Sequence, residues 1–250
     1  MHILLTNDDS HQSPLLTILL EHLQTIGTVT VVVPMEEQSW TGKCMSRFRP
    51  LYVDEIRLGE ASAFCVDGAP ADCVNLGLYH LTPQRPDLIV SGINIGRNTG
   101  VGFAVSSGTV GGCLEGNIAG IPGIALSQDL EHDIYLYWGS HRTFKPEVVD
   151  LLRKRVMTVL PRITDYLLDG RLDAPITWNV NLPIDPAPDC QLVHTVLGHS
   201  FYESCFEKVG DQYRHNLKVY RTDPRPLADG VVVQQGQVSL TRIDLRDLGQ

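Results

Sequence analysis

Short apolar runs alternate with segments of helical periodicity through the first half of the chain. Four of these runs are predicted to be strands: Ile3–Thr6, Thr28–Val33, Asp87–Ser91 and Gly123–Ser127. Strands that are separated by helices form β-α-β units, in which parallel strands make a sheet covered by helices on both faces. The pattern therefore predicts an α/β fold with a doubly wound, mostly parallel sheet.

The segments between these strands carry helix signals. Ser13 can cap the first helix, Pro14 occupies its first position, and Gly27 follows its end. A second helix is predicted to begin near Pro70 and a third near Ser107, because apolar residues follow each at helical spacing.

The last part of the chain has a different pattern. Helical spacing continues through Phe144–Leu168, where Pro161 is expected to kink or split the helix. Short β-like runs then follow: Ile176–Asn181, Gln191–Val196, Tyr213–Tyr220 and Val238–Ile243. They are typical of hairpins rather than β-α units. We predict one domain over 1–250, with an α/β core of about 1–175, and a last core strand plus a hairpin-rich extension over about 176–250. The extension is either a small lobe or an arm exchanged between subunits.

The charge of the chain limits the classes of partner. The formal net charge is −9 and the pI is about 5.4. A nucleic-acid duplex is therefore not expected as a partner, because its backbone requires a basic face. A small phosphate ester is compatible with this charge, since a helix N-terminus or a bound cation can hold one phosphate locally.

Cysteine usage and the N-terminal segment indicate a cytoplasmic protein. The six cysteines contain no C-x-x-C pair and lie mostly among apolar neighbours, as reduced structural thiols do. The first residues run directly into a strand without a basic segment or a cleavage site, so no secretory signal is expected. No apolar run is long enough to span a membrane, and no membrane partner is expected.

Two adjacent carboxylates, Asp8 and Asp9, follow the first predicted strand. In open α/β sheets the carboxyl ends of the strands face the ligand crevice. Two neighbouring carboxylates repel each other unless a cation lies between them, and a divalent metal with oxygen ligands resolves this conflict. The alternative is that the pair caps the following helix and starts a turn.

Three further loops are expected near the same edge of the sheet. Ser39, after the second strand, can offer a hydroxyl oxygen to a metal, and Asn94 can offer an amide oxygen. The run Ser106–Thr109, at the start of the third helix, combines free backbone N–H groups with hydroxyls and is suited to a phosphate. Each of these loops could instead be an ordinary turn or cap.

Several familiar catalytic motifs are missing from the sequence. The chain has no G-x-G-x-x-G after the first strand, no G-x-x-x-x-G-K-S/T, no H-E-x-x-H and no G-x-S-x-G. Nicotinamide-dependent, P-loop and α/β-hydrolase chemistry are therefore not predicted. The nine histidines do not have metal-binding spacing.

The order of these loops resembles the SurE family of survival-protein nucleotidases, which are 5'/3'-nucleotidases. The resemblance covers nearly the whole chain. It includes the start of the chain through Asp9, the loop with Ser39, and the segments Val66–Val74, Pro86–Asn94, Ser107–Val110 with Glu115 and Gly116, and Asn179–Pro183.

The resemblance implies a Rossmann-like sheet, one divalent cation such as Mg²⁺ or Mn²⁺, and hydrolysis of nucleoside 5'-monophosphates, with 3'-monophosphates as further candidates. It implies that the metal ligands are Asp8, Asp9, Ser39 and Asn94. The predicted phosphate-binding residues are Asn98, Ser107, Gly108 and Thr109. The resemblance also implies a homodimer or homotetramer that exchanges C-terminal elements.

The chain departs from the usual family pattern in three places. Ser10 stands where a glycine usually follows the Asp pair. The apolar run Val101–Val105 replaces acidic residues, and Ser239–Ile243 differs from the usual Ser-Ile-Thr-Pro-Leu.

For the reaction, we expect the bound metal to activate a water, Asp8 to accept its proton, and the start of the third helix to hold the phosphate oxygens. The mechanistic alternative is an aspartyl-phosphate formed on Asp8. The first functional alternative is a nucleotide-binding regulatory protein without turnover on the same scaffold. The second is an oxidoreductase with a bound dinucleotide, which the missing glycine fingerprint disfavours.

Overall fold

The fold is built on one main sheet, whose central strands are buried. The structure is a computed structural model that describes residues 1–217, 219–221 and 223–247. Its strands, in chain order, are β1 His2–Thr6, β2 Thr28–Pro34, β3 Val53–Leu58, β4 Ala61–Val66, β5 Leu88–Ile95, β6 Gly123–Gln128, β7 Ile176–Leu182, β8 Leu192–Thr195, β9 Phe201–Tyr202, β10 Phe206–Val209, β11 Gln212–His215, β12 Val219–Arg221 and β13 Val238–Asp244.

The helices connect these strands. They are α1 Pro14–Leu23, α2 Pro70–Leu76, α3 Val101–Ser106, α4 Gly108–Ile118, α5 His132–His141, α6 Pro146–Leu168 and α7 Asp229–Gln234. A π-helical turn, Gly77–Leu81, continues α2, and a 3-10 turn, Leu245–Asp247, follows β13. Within the described residues, no helix has both the length and the apolar character needed to cross a membrane.

The main sheet has the strand order β3-β4-β2-β1-β5-β6-β7-β13-β8. Neighbouring strands from β4 to β7 in this order are parallel, whereas β3 pairs with β4 and β13 pairs with β7 in antiparallel fashion. The strand order reverses at β1, so the carboxyl ends of β1, β2 and β5 meet at one edge. That edge is where open α/β sheets bind their ligands.

Two apolar layers cover the sheet, one on each face. In β1 the side chains of Ile3 and Leu5 pack into a core with α1 and α6, while Leu4 packs into a second core with α2 and α4. This alternation follows from the two-residue period of a strand. Helices on both faces of a mostly parallel sheet confirm the predicted α/β fold, and the hairpin β10–β11 confirms the hairpin-rich extension.

The predictions are wrong or incomplete at several elements. Pro161 lies inside α6, which continues through it as one helix of 23 residues and is not split. The predicted late hairpins at β8 and β13 do not form, because these two strands join the main sheet and run parallel to each other, with α7 between them. Residue 218, inside the predicted run Tyr213–Tyr220, lies outside the described residues, as do residues 222 and 248–250.

Several elements had no prediction at all. They are the edge hairpin β3–β4, the short strands β9 and β10, and the helices α3, α5 and α7. Strand β5 is longer than predicted, since it continues past Ser91 to Ile95, with a register shift against β6 between Ser91 and Asn94. This extension carries Asn94 into the strand rather than into a loop.

Candidate active site

Asp8 and Asp9 lie just beyond the end of β1, the central strand of the sheet. Their residues are only 3% and 4% exposed. The five residues of β1 are all buried, so the chain reaches the carboxyl edge with the carboxylates still inside the protein. Such burial is unusual for ionised groups unless they are paired or bind a cation.

The start of α4 holds the carboxylate of Asp8. Thr109 Oγ1 donates a hydrogen bond to Asp8 Oδ1 over 2.6 Å, and Thr109 N donates to Asp8 Oδ2 over 3.2 Å. Gly108 permits this approach, because a Cβ added there would lie 2.9 Å from Asp8 Cβ and 3.0 Å from Gln38 O. The predicted phosphate seat and the predicted metal ligand are therefore in direct contact.

The extended part of β5 holds Asp9. Ile95 N donates a hydrogen bond to Asp9 Oδ2 over 2.8 Å. The neighbouring residue Asn94 donates from Nδ2 to Gly96 O over 2.8 Å, which leaves its side-chain oxygen as the ligand-type atom. Asp9 is thus bonded to the residue that follows Asn94, and Asn94 reaches this edge from a strand rather than from a loop.

The loop after β2 packs against Asp8 through its backbone. Gln38 N donates a hydrogen bond to Asp8 O over 2.7 Å, and Thr41 Oγ1 donates to Gln38 O over 2.8 Å. Ser39 lies in this loop, is exposed, and donates from its backbone N to Glu37 Oε1 over 3.2 Å. The loop is therefore at the site, and Ser39 is the most exposed of the predicted ligands.

Asn98 is anchored to the sheet by three hydrogen bonds. Its backbone N donates to Asn181 Oδ1 over 2.7 Å, its Nδ2 donates to Ser127 Oγ over 3.0 Å, and its carbonyl accepts from Asn179 Nδ2 over 2.9 Å. These partners lie on β6 and β7. The same contacts explain the Asn-x-Asn pattern of β7 as support for the loop that carries Asn98.

Ser107 is the N-cap of α4. Its Oγ accepts a hydrogen bond from Val110 N over 3.2 Å, so its own hydroxyl proton stays available for another acceptor. The α4 helix has 11 residues, and its positive N-terminal end points at the neighbourhood of Asp8. Ser107 and Gly108 are thus placed as predicted, while both donors of Thr109 are used by Asp8.

The electrostatics of the site favour a cation. Burial raises the pKa of Asp8 to about 6, although the hydrogen bonds from Thr109 lower it. Burial raises the pKa of Asp9 well above its usual range, and the negative charge of Asp8 raises it further. Glu37 adds to the negative charge at both groups, so a positive ion would relieve the repulsion among them.

A cavity of about 400 Å³ opens beside Asp9. Its lining includes Ser10, Glu37 and Arg142. Arg142 Nη2 lies 2.9 Å from Glu37 Oε2, and the positive charge of Arg142 lowers the pKa of Asp9. Tyr135, also from the α5 segment, packs against Gly96, where an added Cβ would lie 3.3 Å from its ring.

The sequence analysis missed these contributions from the α5 segment. Arg142 follows α5 with a φ of +52°, and nothing in its sequence neighbourhood marks it as a site residue. Only the crossing of α5 over the carboxyl edge brings it there. A weak signal existed in the two glutamates of the loop after β2, because their negative charge favours a positive side chain nearby.

Comparisons with known proteins identify the family of the chain. A model of the family described as Survival protein SurE matches residues 3–204 of the chain. The chain belongs to the SurE family. The 5'-nucleotidase SurE of Thermosipho melanesiensis is 33% identical over 253 residues, which cover 98% of this chain and 92% of the relative. The 5'-nucleotidase SurE of Methanopyrus kandleri is 42% identical over 249 residues, which cover 96% and 90%.

A solved structure extends the likeness to three dimensions. The crystal structure of the SurE protein from Aquifex aeolicus matches with a TM-score of 0.77 and 30% identity, covering 100% of this chain and 95% of that chain. The predicted membership of the SurE family and the predicted fold are therefore confirmed.

The first departure from the SurE pattern has a structural consequence. Ser10 adopts a φ of +68°, the left-handed conformation that glycine enters without steric cost. Asn7 Nδ2 donates to Ser10 O over 2.8 Å, and Ser10 Oγ accepts from Gln12 N over 3.3 Å. These bonds hold the turn, so the Asp pair keeps its position without glycine.

The donor set fits the divalent cation that the SurE resemblance implies. Carboxylate, amide and hydroxyl oxygens are the ligands that Mg²⁺ and Mn²⁺ prefer. Arg142 is the positively charged side chain that lowers the pKa of Asp9, and it is already paired with Glu37. In the part of the chain that the structure describes, no three His, Cys, Asp or Glu side chains form a metal cluster, so a metal here would depend on the Asp pair together with neutral oxygens.

Proposed function

We propose that this chain hydrolyses nucleoside 5'-monophosphates to a nucleoside and phosphate, with one divalent cation, Mg²⁺ or Mn²⁺, held by Asp8, Asp9, Ser39 and Asn94. The assignment to the 5'-nucleotidases, which are hydrolases, follows from full-length relatives with that name. The observation that supports the metal-dependent mechanism is the buried carboxylate pair in contact with the N-terminus of α4. Hydrolysis of 3'-monophosphates is a further part of the proposal.

When bound, the cation would supply a Lewis acid for a phosphate oxygen and a water of lowered pKa. The residues of the chain fix the geometry around it. Thr109 donates two hydrogen bonds to Asp8 and so restricts the rotation of the carboxylate about its side-chain torsions. Ile95 N restricts Asp9 in the same way.

The N-terminus of α4 binds the phosphate in this proposal. Gly108 lets the start of α4 pack closely against Asp8 because it has no Cβ, and Ser107 can donate its hydroxyl proton. Asn98 lies on the neighbouring loop, held by β6 and β7. We assign Thr109 the role of orienting Asp8 in place of a phosphate contact, since its amide and its hydroxyl both donate to that carboxylate.

The bonds change in a simple order. A water oxygen forms a bond to phosphorus, and the bond between phosphorus and the ribose oxygen breaks. Asp8 accepts a proton from the attacking water, and the leaving ribose oxygen takes up a proton to become the hydroxyl of the nucleoside. In the alternative route the Asp8 carboxylate attacks phosphorus and water later hydrolyses the acyl phosphate.

The stereochemistry at phosphorus separates these two routes. With an isotopically chiral phosphorothioate ester hydrolysed in ¹⁸O-water, direct attack is one displacement and inverts the configuration at phosphorus. An aspartyl-phosphate that forms and is hydrolysed by two displacements at phosphorus retains the configuration.

Metal dependence is tested by adding ions back to protein treated with a chelator. We expect phosphate release from nucleoside 5'-monophosphates to vanish on chelation and to return with Mn²⁺ or Mg²⁺. Full activity in the chelator would refute the metal-dependent mechanism. Binding of nucleotides by folded, metal-loaded protein without release of phosphate would support a regulatory binding protein instead.

We also propose that the chain forms a homodimer or homotetramer in the cytoplasm and acts on free nucleotides rather than on duplex nucleic acid. The hairpin β10–β11 supports self-association, because Phe206 and Tyr213 on it are 58% and 68% exposed. Light scattering on the purified protein measures the mass, and a mass of one chain would refute self-association.

A further inference from the structure

Four aromatic side chains from separate segments meet beside the site. The ring of Trp40 lies 5.9 Å from that of Phe103, 5.9 Å from that of Tyr202 and 5.1 Å from that of His215, measured between centroids. The rings of Phe103 and Tyr202 are 6.0 Å apart. We call these four residues the aromatic cluster.

The aromatic cluster is attached to the phosphate end of the site through the loop of Trp40. Gln38, two residues earlier, donates its backbone N–H to Asp8 O over 2.7 Å. Two residues of chain span at most about 7 Å, so Trp40 lies close to this contact. Gly42, two residues later, donates its N–H to Ser106 O over 2.9 Å, directly before the N-cap of α4. Trp40 therefore lies between Asp8 and the start of α4 along this loop.

The rings are arranged so that aromatic surface remains open. Trp40 meets its three partners at interplanar angles of 66°, 76° and 63°, so none of these pairs is stacked in parallel. Trp40 is 41% exposed. Its φ of +64° is uncommon for a bulky residue, and such conformations persist where the surrounding structure enforces them, often at ligand sites.

The chemistry of the substrate matches this arrangement. A nucleoside monophosphate carries its base one ribose away from the phosphate, and bases stack on aromatic side chains through their π-faces. The metal and the α4 N-terminus recognise the phosphate only, so recognition of a nucleoside requires a second surface.

We propose that the aromatic cluster, with Trp40 as its central ring, binds the base of the nucleoside monophosphate whose phosphate lies at the start of α4. This inference rests on the proposed function. In this proposal the loop after β2, the helix α3 and the hairpin-rich extension together determine which base the enzyme prefers. The substrate base is the ligand that the aromatic cluster binds.

The first experiment compares a substrate with a base and one without it. Adenosine 5'-monophosphate and ribose 5-phosphate are assayed with Mn²⁺ for the wild type, Trp40→Ala and Trp40→Phe. Loss of one stacking ring should raise KM for the nucleotide roughly 5- to 100-fold in Trp40→Ala, with kcat within about 3-fold. The kcat/KM for ribose 5-phosphate should stay unchanged, and Trp40→Phe should retain most of the nucleotide affinity.

Tyr79→Ala is the matched control. Tyr79 is 58% exposed on the turn after α2, a helix that runs back from the carboxyl edge, so it lies away from the site. This variant should behave as the wild type on both substrates. An equal loss with both substrates in Trp40→Ala would overturn the inference, because it would show that Trp40 acts on the phosphate site. No loss with either substrate would overturn it as well.

A binding measurement keeps the inference testable without turnover. The chain has three tryptophans, of which Trp138 and Trp178 are only 3% and 5% exposed. Adenosine 5'-monophosphate should therefore quench the fluorescence of Trp40, whereas ribose 5-phosphate should not, and the quenching should disappear in Trp40→Phe. Quenching without phosphate release would contradict the proposed function and support the aromatic cluster. Phosphate release without quenching would support the proposed function and contradict base binding by the aromatic cluster.

Discussion

Replacing Asp229 should loosen the loop that carries Asn98. The residue is 0% exposed, at the start of α7. Its Oδ2 accepts a hydrogen bond from Gly100 N over 2.7 Å, and its Oδ1 accepts from Gly198 N over 3.0 Å and from Gly230 N over 2.9 Å. One carboxylate thus connects the site loop, the segment after β8 and the first turn of α7.

The cost of the substitution follows from these three bonds. Asp229→Ala removes the acceptor of two buried N–H groups and one half-buried N–H group, at about 1–3 kcal/mol each, so we expect a loss of about 3–6 kcal/mol after some relaxation. Asp229→Asn keeps one oxygen and turns an amide N–H₂ toward Gly100 N. Burial raises the pKa of Asp229, so its charge carries a desolvation cost that the amide avoids. For Asn we therefore expect a smaller loss of about 1–3 kcal/mol.

Urea unfolding followed by circular dichroism measures both losses, and phosphate release measures the effect on the site. Because the Asn substitution affects Gly100 selectively, kcat/KM should fall roughly tenfold, the equivalent of about 1.4 kcal/mol. Asp211→Asn, in the exposed turn between β10 and β11, is the control and should change neither quantity. An Asp229→Ala variant within about 1 kcal/mol of the wild type, with full activity, would refute this reasoning.

Three further substitutions test other parts of the site. Gly108→Ala should cost about 1–3 kcal/mol in urea unfolding and most of the activity, because its Cβ would lie 2.9 Å from that of Asp8, whereas Gly139→Ala, with nothing within 4 Å, should leave activity unchanged. Thr109→Val should lower kcat by about 10- to 100-fold in steady-state assays while the fold survives, because Asp8 loses its 2.6 Å hydroxyl bond; normal kcat would contradict that role. Glu131→Gln should destabilise the protein at neutral pH, because hydrogen bonds from Arg155 lower the pKa of Glu131 in the folded state. That difference should disappear in unfolding curves as the pH falls through the lowered pKa, and a constant difference would contradict the ion pair.

The sequence predicts an element correctly where the local signals alone favour the conformation that the structure has. Strand β1 is a continuous apolar run, and Pro14 and Ser107 stand at the starts of helices that form as predicted. Even here one detail differs, since Ser13 occupies the N-cap of α1 without a side-chain capping bond. The segments that carry the predicted ligands reach one edge of the sheet because parallel strands end there, which is a property of the fold class.

The remaining elements depend on contacts between distant segments. Strand β5 continues through glycine and asparagine to Ile95 because β6 pairs with it, and this pairing overrides the low strand propensity of those residues. Strand β13 leaves the predicted hairpins because it pairs with β7 and β8. Arg142 and Asp229 reach the site only through the packing of α5 and α7, so no local pattern could identify them.

The central claim, that the buried Asp pair is the catalytic centre of a 5'-nucleotidase, is tested most directly by Asp9→Asn. The measurement is phosphate release from a nucleoside 5'-monophosphate with saturating Mn²⁺, on protein whose fold is verified by circular dichroism. We predict a loss of activity greater than about 100-fold, since Asp9 would be a direct metal ligand. Activity within a factor of about two of the wild type, in the folded variant, would contradict the claim, because ligation by the carboxylate could not then be essential.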